Sequence, residues 1–166
     1  MGDGRWGANR TAISSGLIGG QFISHRPSLI GQSVTQSLMP DHRLISPAAA
    51  PTPLGPYSPA VGFERLVFVS GQGARDPITG AMPDGIEAQT EGCLRNVEAI
   101  LRASGSDLQH VLRCGVFLLD MKEFASMNAV YSRMFGAHRP ARTTVQAAAL
   151  PGDGLRVEID CIAYVP

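Results

Sequence analysis

No run of about 18 apolar residues occurs in the chain, so nothing in it predicts a membrane-spanning helix. Neither sign of charge predominates. Fourteen Lys and Arg stand against 14 Asp and Glu, a balance that argues against a broad electrostatic grip on nucleic acid or an anionic membrane. Cysteine is scarce: Cys93, Cys114 and Cys161 are odd in number and far apart. That excludes a disulfide framework and predicts small core residues in a reducing compartment. Metal-site spacings are missing too, with no CxxC and no HExxH. His110 and Cys114, as four residues of extended chain, would lie about 13 Å apart, too far to share an ion. No metal is expected.

Other motifs fail on context. Gly71-Gln72-Gly73 follows an apolar run as a dinucleotide fingerprint would, but the third glycine position is Asp76. Pro77 and a turn follow where a helix is required. There is no Walker loop and no GxSxG, and the serine directly beside a histidine, Ser24 with His25, belongs to no predicted element.

What is present is one domain's worth of chain, 166 residues with 44% hydrophobic, long enough for a core without staples. Residues 1–38 stand apart, rich in Gly and Ser, with Arg5, Arg10 and Arg26 and Asp3 as the sole acid. Three readings stay open: a disordered tail, a start codon placed too far upstream with Met39 the real start, or a mitochondrial targeting peptide. The expectation is a domain over 39–166, cytoplasmic, or mitochondrial if 1–38 is a transit peptide. The sequon at Asn9 is not expected to meet the glycosylation machinery.

From Pro47 onward the pattern sharpens. Pro51, Pro53, Pro56 and Pro59 mark an extended lead-in, and Leu66 to Val69 reads as a buried strand. Asp76 to Gly80 is a turn. A helix follows, with Asp84 as N-cap, Glu87 at the third position and an apolar face of Ile86, Cys93, Leu94, Val97, Ile100 and Leu101, stopped by Gly105. Val111 to Leu119 predicts a central strand. Asp120 is expected to cap a second helix whose buried stripe is Phe124, Met127, Tyr131, Met134 and Phe135, ended by Gly136. Arg142 to Leu150 and Leu155 to Tyr164 read as strands about the turn at 151–154, the last with Glu158 and Asp160 on its polar face. The sum is an α/β (α+β) layer, a single mixed sheet with two helices on one face.

The most suggestive chemistry is near the C-terminus. Arg142 opens a strand, and Glu158 and Asp160 share a face of the next. An arginine fork can hold a substrate carboxylate bidentately while a carboxylate positions water. Strand-end arginines and the polar face of a final strand are usually solvated, which is the stronger reading of the pattern alone, and the pattern names no substrate.

Several segments, in order, resemble the RidA (YjgF-like, reactive intermediate deaminase) family. They are Gly55-Pro56-Tyr57-Ser58, Val67 to Gln72, Asp76 to Gly80, Gln89-Thr90, Leu94-Arg95-Asn96, Val116-Phe117-Leu118, Phe124 to Asn128, Pro140-Ala141-Arg142 and Val157-Glu158-Ile159. The resemblance implies a chorismate mutase-like, RidA-like fold. It implies a homotrimer with a barrel-like centre and sites in the clefts between subunits. The implied activity is hydrolysis of 2-iminobutanoate and 2-iminopropanoate to 2-keto acids and ammonia, without metal or organic cofactor. By position, Arg142 matches the arginine that binds the substrate carboxylate and Glu158 the acid that holds the attacking water. Tyr57, Ser70 and Asn128 match residues that line the cleft. Thr144 stands where the family's archetype has cysteine, which leaves substrate preference open, larger enamines such as 2-aminomuconate included. A non-catalytic ligand-binding or chaperone-like trimer is the alternative. RNA cleavage, attributed to some relatives, fits poorly with zero net charge.

Overall fold

The computed structural model describes residues 42–166; the 1–38 segment, its sequon and the Ser24–His25 pair lie outside them. Six strands form one sheet in the order β1-β2-β3-β6-β4-β5. In chain order these are β1 (His42–Ile45), β2 (Ala60–Phe63), β3 (Leu66–Gln72), β4 (Val111–Leu118), β5 (Ala141–Gln146) and β6 (Val157–Tyr164). All neighbours are antiparallel except β4 and β5, which run parallel. Helix α1 (Ile86–Ala103) links β3 to β4, and α2 (Phe124–Phe135) is the crossover between the parallel pair. The mixed sheet with two helices is the expected fold class.

Strand β6 sets the geometry. Val157, Ile159, Cys161 and Ala163 are buried beneath the helices, while Glu158, Asp160 and Ile162 point to the other face. Helix α1 supplies the matching stripe and buries Cys93, Leu94, Val97, Ile100 and Leu101 completely. Side chains of this kind contribute roughly 1.5–3 kcal/mol each on burial. Among the described residues the opposite sheet face has no helix over it. It carries Phe68, paired with Ile162, and Val145, paired with Phe117 and through it with Glu158.

Several boundaries differ from expectation. Helix α1 is capped by Gly85, at φ 82 and without a side-chain cap, and Asp84 does not fill that position. The buried Gln89 amide ties down this end instead, donating to the Pro83 and Gly154 carbonyls at 2.9 and 2.8 Å. Asp120 does cap, but the element is a 3₁₀ turn over Met121–Glu123; it accepts from Lys122 N, and α2 begins only at Phe124. Glu123 is drawn away to an ion pair with Arg156. Phe124 is exposed, Met134 packs half-buried against the core and Val130 is buried in addition, so the α2 stripe begins at Met127 rather than Phe124. Strand β5 stops at Gln146, short of Leu150, because its parallel partner β4 ends at Leu118. Strand β6 starts at Val157, not Leu155, since Leu155 N closes a turn onto Gly152 O and Arg156 N donates to Gln89 Oε1. Strands β1 and β2, on either side of the proline-marked lead-in and not expected from the pattern, are paired to the sheet edge.

Candidate active site

The site begins with a bulge. Val69 pairs with Cys161 and Gln72 with Ile159, so Ser70 and Gly71 together oppose the single residue Asp160. This opens room beside β6, and the Glu158 side chain fills it. Its carboxylate lies over the Gly71 backbone, where a Cβ at position 71 would overlap Oε1. Around it is a cleft of about 440 Å³, lined by Tyr57, Ser70, Gly71, Arg75, Met82 and Glu158 among others. The Ser70 hydroxyl donates to Ser58 O at 2.7 Å, which pins the lead-in loop to the strand. Tyr57 is exposed, its ring against Gly55, and its hydroxyl accepts from Leu54 N at 3.4 Å.

Burial raises the Glu158 carboxyl above its ordinary value, and the neighbouring Asp160 carboxylate adds to the shift. Asp160 is itself anchored, accepting from Gly115 N at 2.8 Å. A carboxylate in this setting can hold a water and take its proton.

Arg142 lies elsewhere. It sits on the edge strand β5 opposite Cys114, which is opposite Cys161. It therefore occupies the helix-covered face, whereas Glu158 occupies the other, two strands away, about 10 Å across the sheet. Its Cζ is 4.6 Å from the Tyr131 ring centroid and 5.6 Å from that of Phe124. Among the described residues its guanidinium has no carboxylate and no hydrogen-bond partner. Asn128 lies four residues after Phe124 and three before Tyr131, on the helix face that carries both rings. Thr144 shares the Arg142 face of β5, and its Oγ1 is buried with no partner, as is the Tyr131 hydroxyl.

The six candidate residues thus form two groups. Tyr57, Ser70 and Glu158 share the cleft on one side; Arg142, Asn128 and Thr144 stand with α2 on the other.

A family model described as Endoribonuclease L-PSP matches residues 47–165. The chain belongs to this family, the RidA (YjgF) family. It is 49% identical over 117 residues to Protein DfrA of Myxococcus xanthus, covering 69% of this chain and 88% of that protein. It is 43% identical over 122 residues to the 2-iminobutanoate/2-iminopropanoate deaminase of Capra hircus, covering 73% and 88%. Among solved structures, E. coli TdcF with bound serine aligns at a TM-score of 0.70 and 36% identity, covering 74% of this chain and 98% of that one. All six candidate positions of this RidA-family chain fall inside the matched span.

Tyr131 is core, as the pattern predicts, and also faces the Arg142 guanidinium; the roles of Gly71, which reads as a strand exit, and of Phe124, which reads as core, are not visible in residue patterns. A glycine inside an otherwise apolar strand is the signal for a bulge and a close approach.

Proposed function

We propose that this protein hydrolyses 2-imino acids, in equilibrium with their enamines, to 2-keto acids and ammonia, 2-iminopropanoate and 2-iminobutanoate being the substrates by analogy with the named deaminase relatives. The observation that carries the reading is Arg142: a half-buried guanidinium resting on two rings, its donors unclaimed. Such a fork is matched to a planar carboxylate. The relative crystallised with serine holds a ligand of the same carboxylate class.

In this reaction Arg142 fixes the substrate carboxylate and leaves the imine carbon exposed to attack. Glu158 holds a water and accepts its proton as the C–O bond forms. That proton passes to the imine nitrogen, giving the neutral carbinolamine; the carbinolamine hydroxyl proton then moves through Glu158 to the amine, the C–N bond breaks, and ammonia leaves as the keto group forms. Positioning and proton transfer suffice because the imine carbon, next to a carboxylate, is already electrophilic. Tyr57, Ser70, Asn128 and Thr144 line the bound substrate.

The two groups face opposite sides of one chain, so the reading includes a second copy that brings Arg142 of one subunit to Glu158 of the next. The uncovered sheet face with Phe68, Phe117, Val145 and Ile162 supports such an assembly, a homotrimer with three intersubunit sites. No helix of the described residues is long and apolar enough to cross a membrane, and the buried free thiols suit the cytoplasm.

The test is imine loss in a coupled assay. A serine dehydratase generates 2-iminopropanoate, semicarbazide competes for it, and wild type is compared with Arg142→Ala. Faster loss with wild type alone is expected. If the variant is equally active, the clamp is misassigned. If neither acts while a keto acid raises the melting temperature through Arg142, the protein is a binder.

A further inference from the structure

We propose that Tyr131, assisted by Phe124, is the positioning residue that keeps the Arg142 guanidinium oriented and free of any competing anion; the inference rests on reading Arg142 as the carboxylate clamp.

The other arginines on the helices and on the β6 approach are spent on carboxylates. Arg95 and Arg133 pair with Glu91, Arg102 with Glu98 and Arg156 with Glu123. A guanidinium held that way has its donors occupied, and a substrate carboxylate would have to displace the partner. Arg142 is held by aromatic faces instead, with Cζ 4.6 Å from the Tyr131 centroid and 5.6 Å from that of Phe124. A ring quadrupole attracts the cation without accepting an N–H hydrogen bond along the fork. The guanidinium is restrained while its donors stay open to an incoming anion.

Helix α2 builds this cradle from one stripe. Phe124 and Tyr131 are seven residues apart, two turns, so their rings rise from the same side. Tyr131 is 6% exposed and packs at 4.5 Å, tilted, on Phe135. Its hydroxyl lies beside the thiol of Cys114, the residue paired directly with Arg142 across the β4–β5 ladder. The ring therefore stands on the neighbouring strand at the register of the arginine it supports. Phe124 is exposed, an arrangement wasteful as core packing but suited to covering the outer side of a cation at a sheet edge.

The test uses the full chain, with 2-oxobutanoate binding measured by calorimetry and imine kinetics run in parallel. Tyr131→Phe keeps the ring and is expected to bind within about twofold of wild type. Tyr131→Leu is expected to weaken 2-oxobutanoate and raise KM about tenfold, with kcat at saturation little changed. On an Arg142→Ala background the same change is expected to add nothing, because Tyr131 acts through the arginine. An equal loss on both backgrounds, or no loss beyond that of Tyr131→Phe, would overturn the proposal. Should Tyr131→Leu not fold, Phe124→Leu serves in both backgrounds, with about a threefold weakening of 2-oxobutanoate binding expected only where Arg142 is present; unchanged binding in the Arg142-containing protein counts against it. If Arg142→Ala itself binds 2-oxobutanoate normally, the clamp reading fails first, and that result is separate from the others.

Discussion

Glu158 and Gly71 are fitted to one another across the β3–β6 ladder: a Cβ on residue 71 would overlap Glu158 Oε1 and lie 2.7 Å from Cδ. The carboxylate can take its place in the cleft only because position 71 has no side chain. Gly71→Ala should therefore displace it without touching the core. We expect kcat to fall about 100-fold, the scale of losing a positioned base, while circular dichroism and assembly state stay as in wild type. Normal turnover in Gly71→Ala would show that the observed placement of Glu158 is not the working one.

Arg142→Lys keeps the charge and loses the fork. Lysine is a compact, strongly hydrated ammonium that neither lies over two rings nor bonds a carboxylate bidentately. The expected result is a KM for 2-iminopropanoate raised about 10- to 100-fold, with a smaller fall in kcat. Equal KM values would mean that charge alone recruits the substrate.

The pH behaviour of Glu158 has a definite sign. Burial first and Asp160 second hold its carboxyl above the ordinary range, so the folded state keeps its proton to higher pH than the unfolded chain does. Between the ordinary value and the raised one the folded state binds more protons, and stability falls as pH rises through that window. At neutral pH the ionised side chain is a net cost. Glu158→Gln should melt a few degrees higher than wild type at pH 7, at equal protein concentration, with the gap closing below about pH 4. Asp160→Asn keeps the acceptor for Gly115 N and removes a charge, so the acid limb of kcat/KM should move to lower pH. A limb that stays put would remove Asp160 from the tuning.

The ladder of apolar residues is legible in the sequence. The α1 stripe and the β6 alternation follow from periods of 3.6 and 2 and carry most of the core, and the Gly136 stop follows from glycine's ease at positive φ. Strands β1 and β2 are four residues each with too little pattern to register; pairing to an existing sheet edge, a tertiary effect, makes them strands. The helix starts were misplaced for a related reason. Asp84 has the right chemistry for a cap, but the buried Gln89 hydrogen bonds fix the segment one residue further on. In the site, Arg142 and Glu158 could be named from the resemblance, while their placement on opposite sheet faces follows from register, which local composition does not encode. Phe124 was read as core because hydrophobic patterning cannot distinguish a ring that packs on leucine from one that packs on a guanidinium.

The three cysteines offer a last check on the core. Cys93 and Cys114 have no exposed surface and Cys161 only 2%. Burial pushes the Cys114 thiol up to about 11 and moves Cys93 and Cys161 upward as well. Thiolate is the reactive form, so both access and ionisation are suppressed. Cys114 and Cys161 face each other directly across β4 and β6, with Arg142 at the same register on β5. Opening this part of the sheet to a reagent would therefore also displace Arg142. Native protein at pH 8 should show no fast reaction with an aromatic disulfide reagent, and all three thiols should titrate in denaturant. Slow labelling should proceed at the rate of global unfolding, and a saturating keto acid should retard it in wild type but not in Arg142→Ala. Rapid modification of any one thiol in the native state would show that the sheet opens locally beside the site.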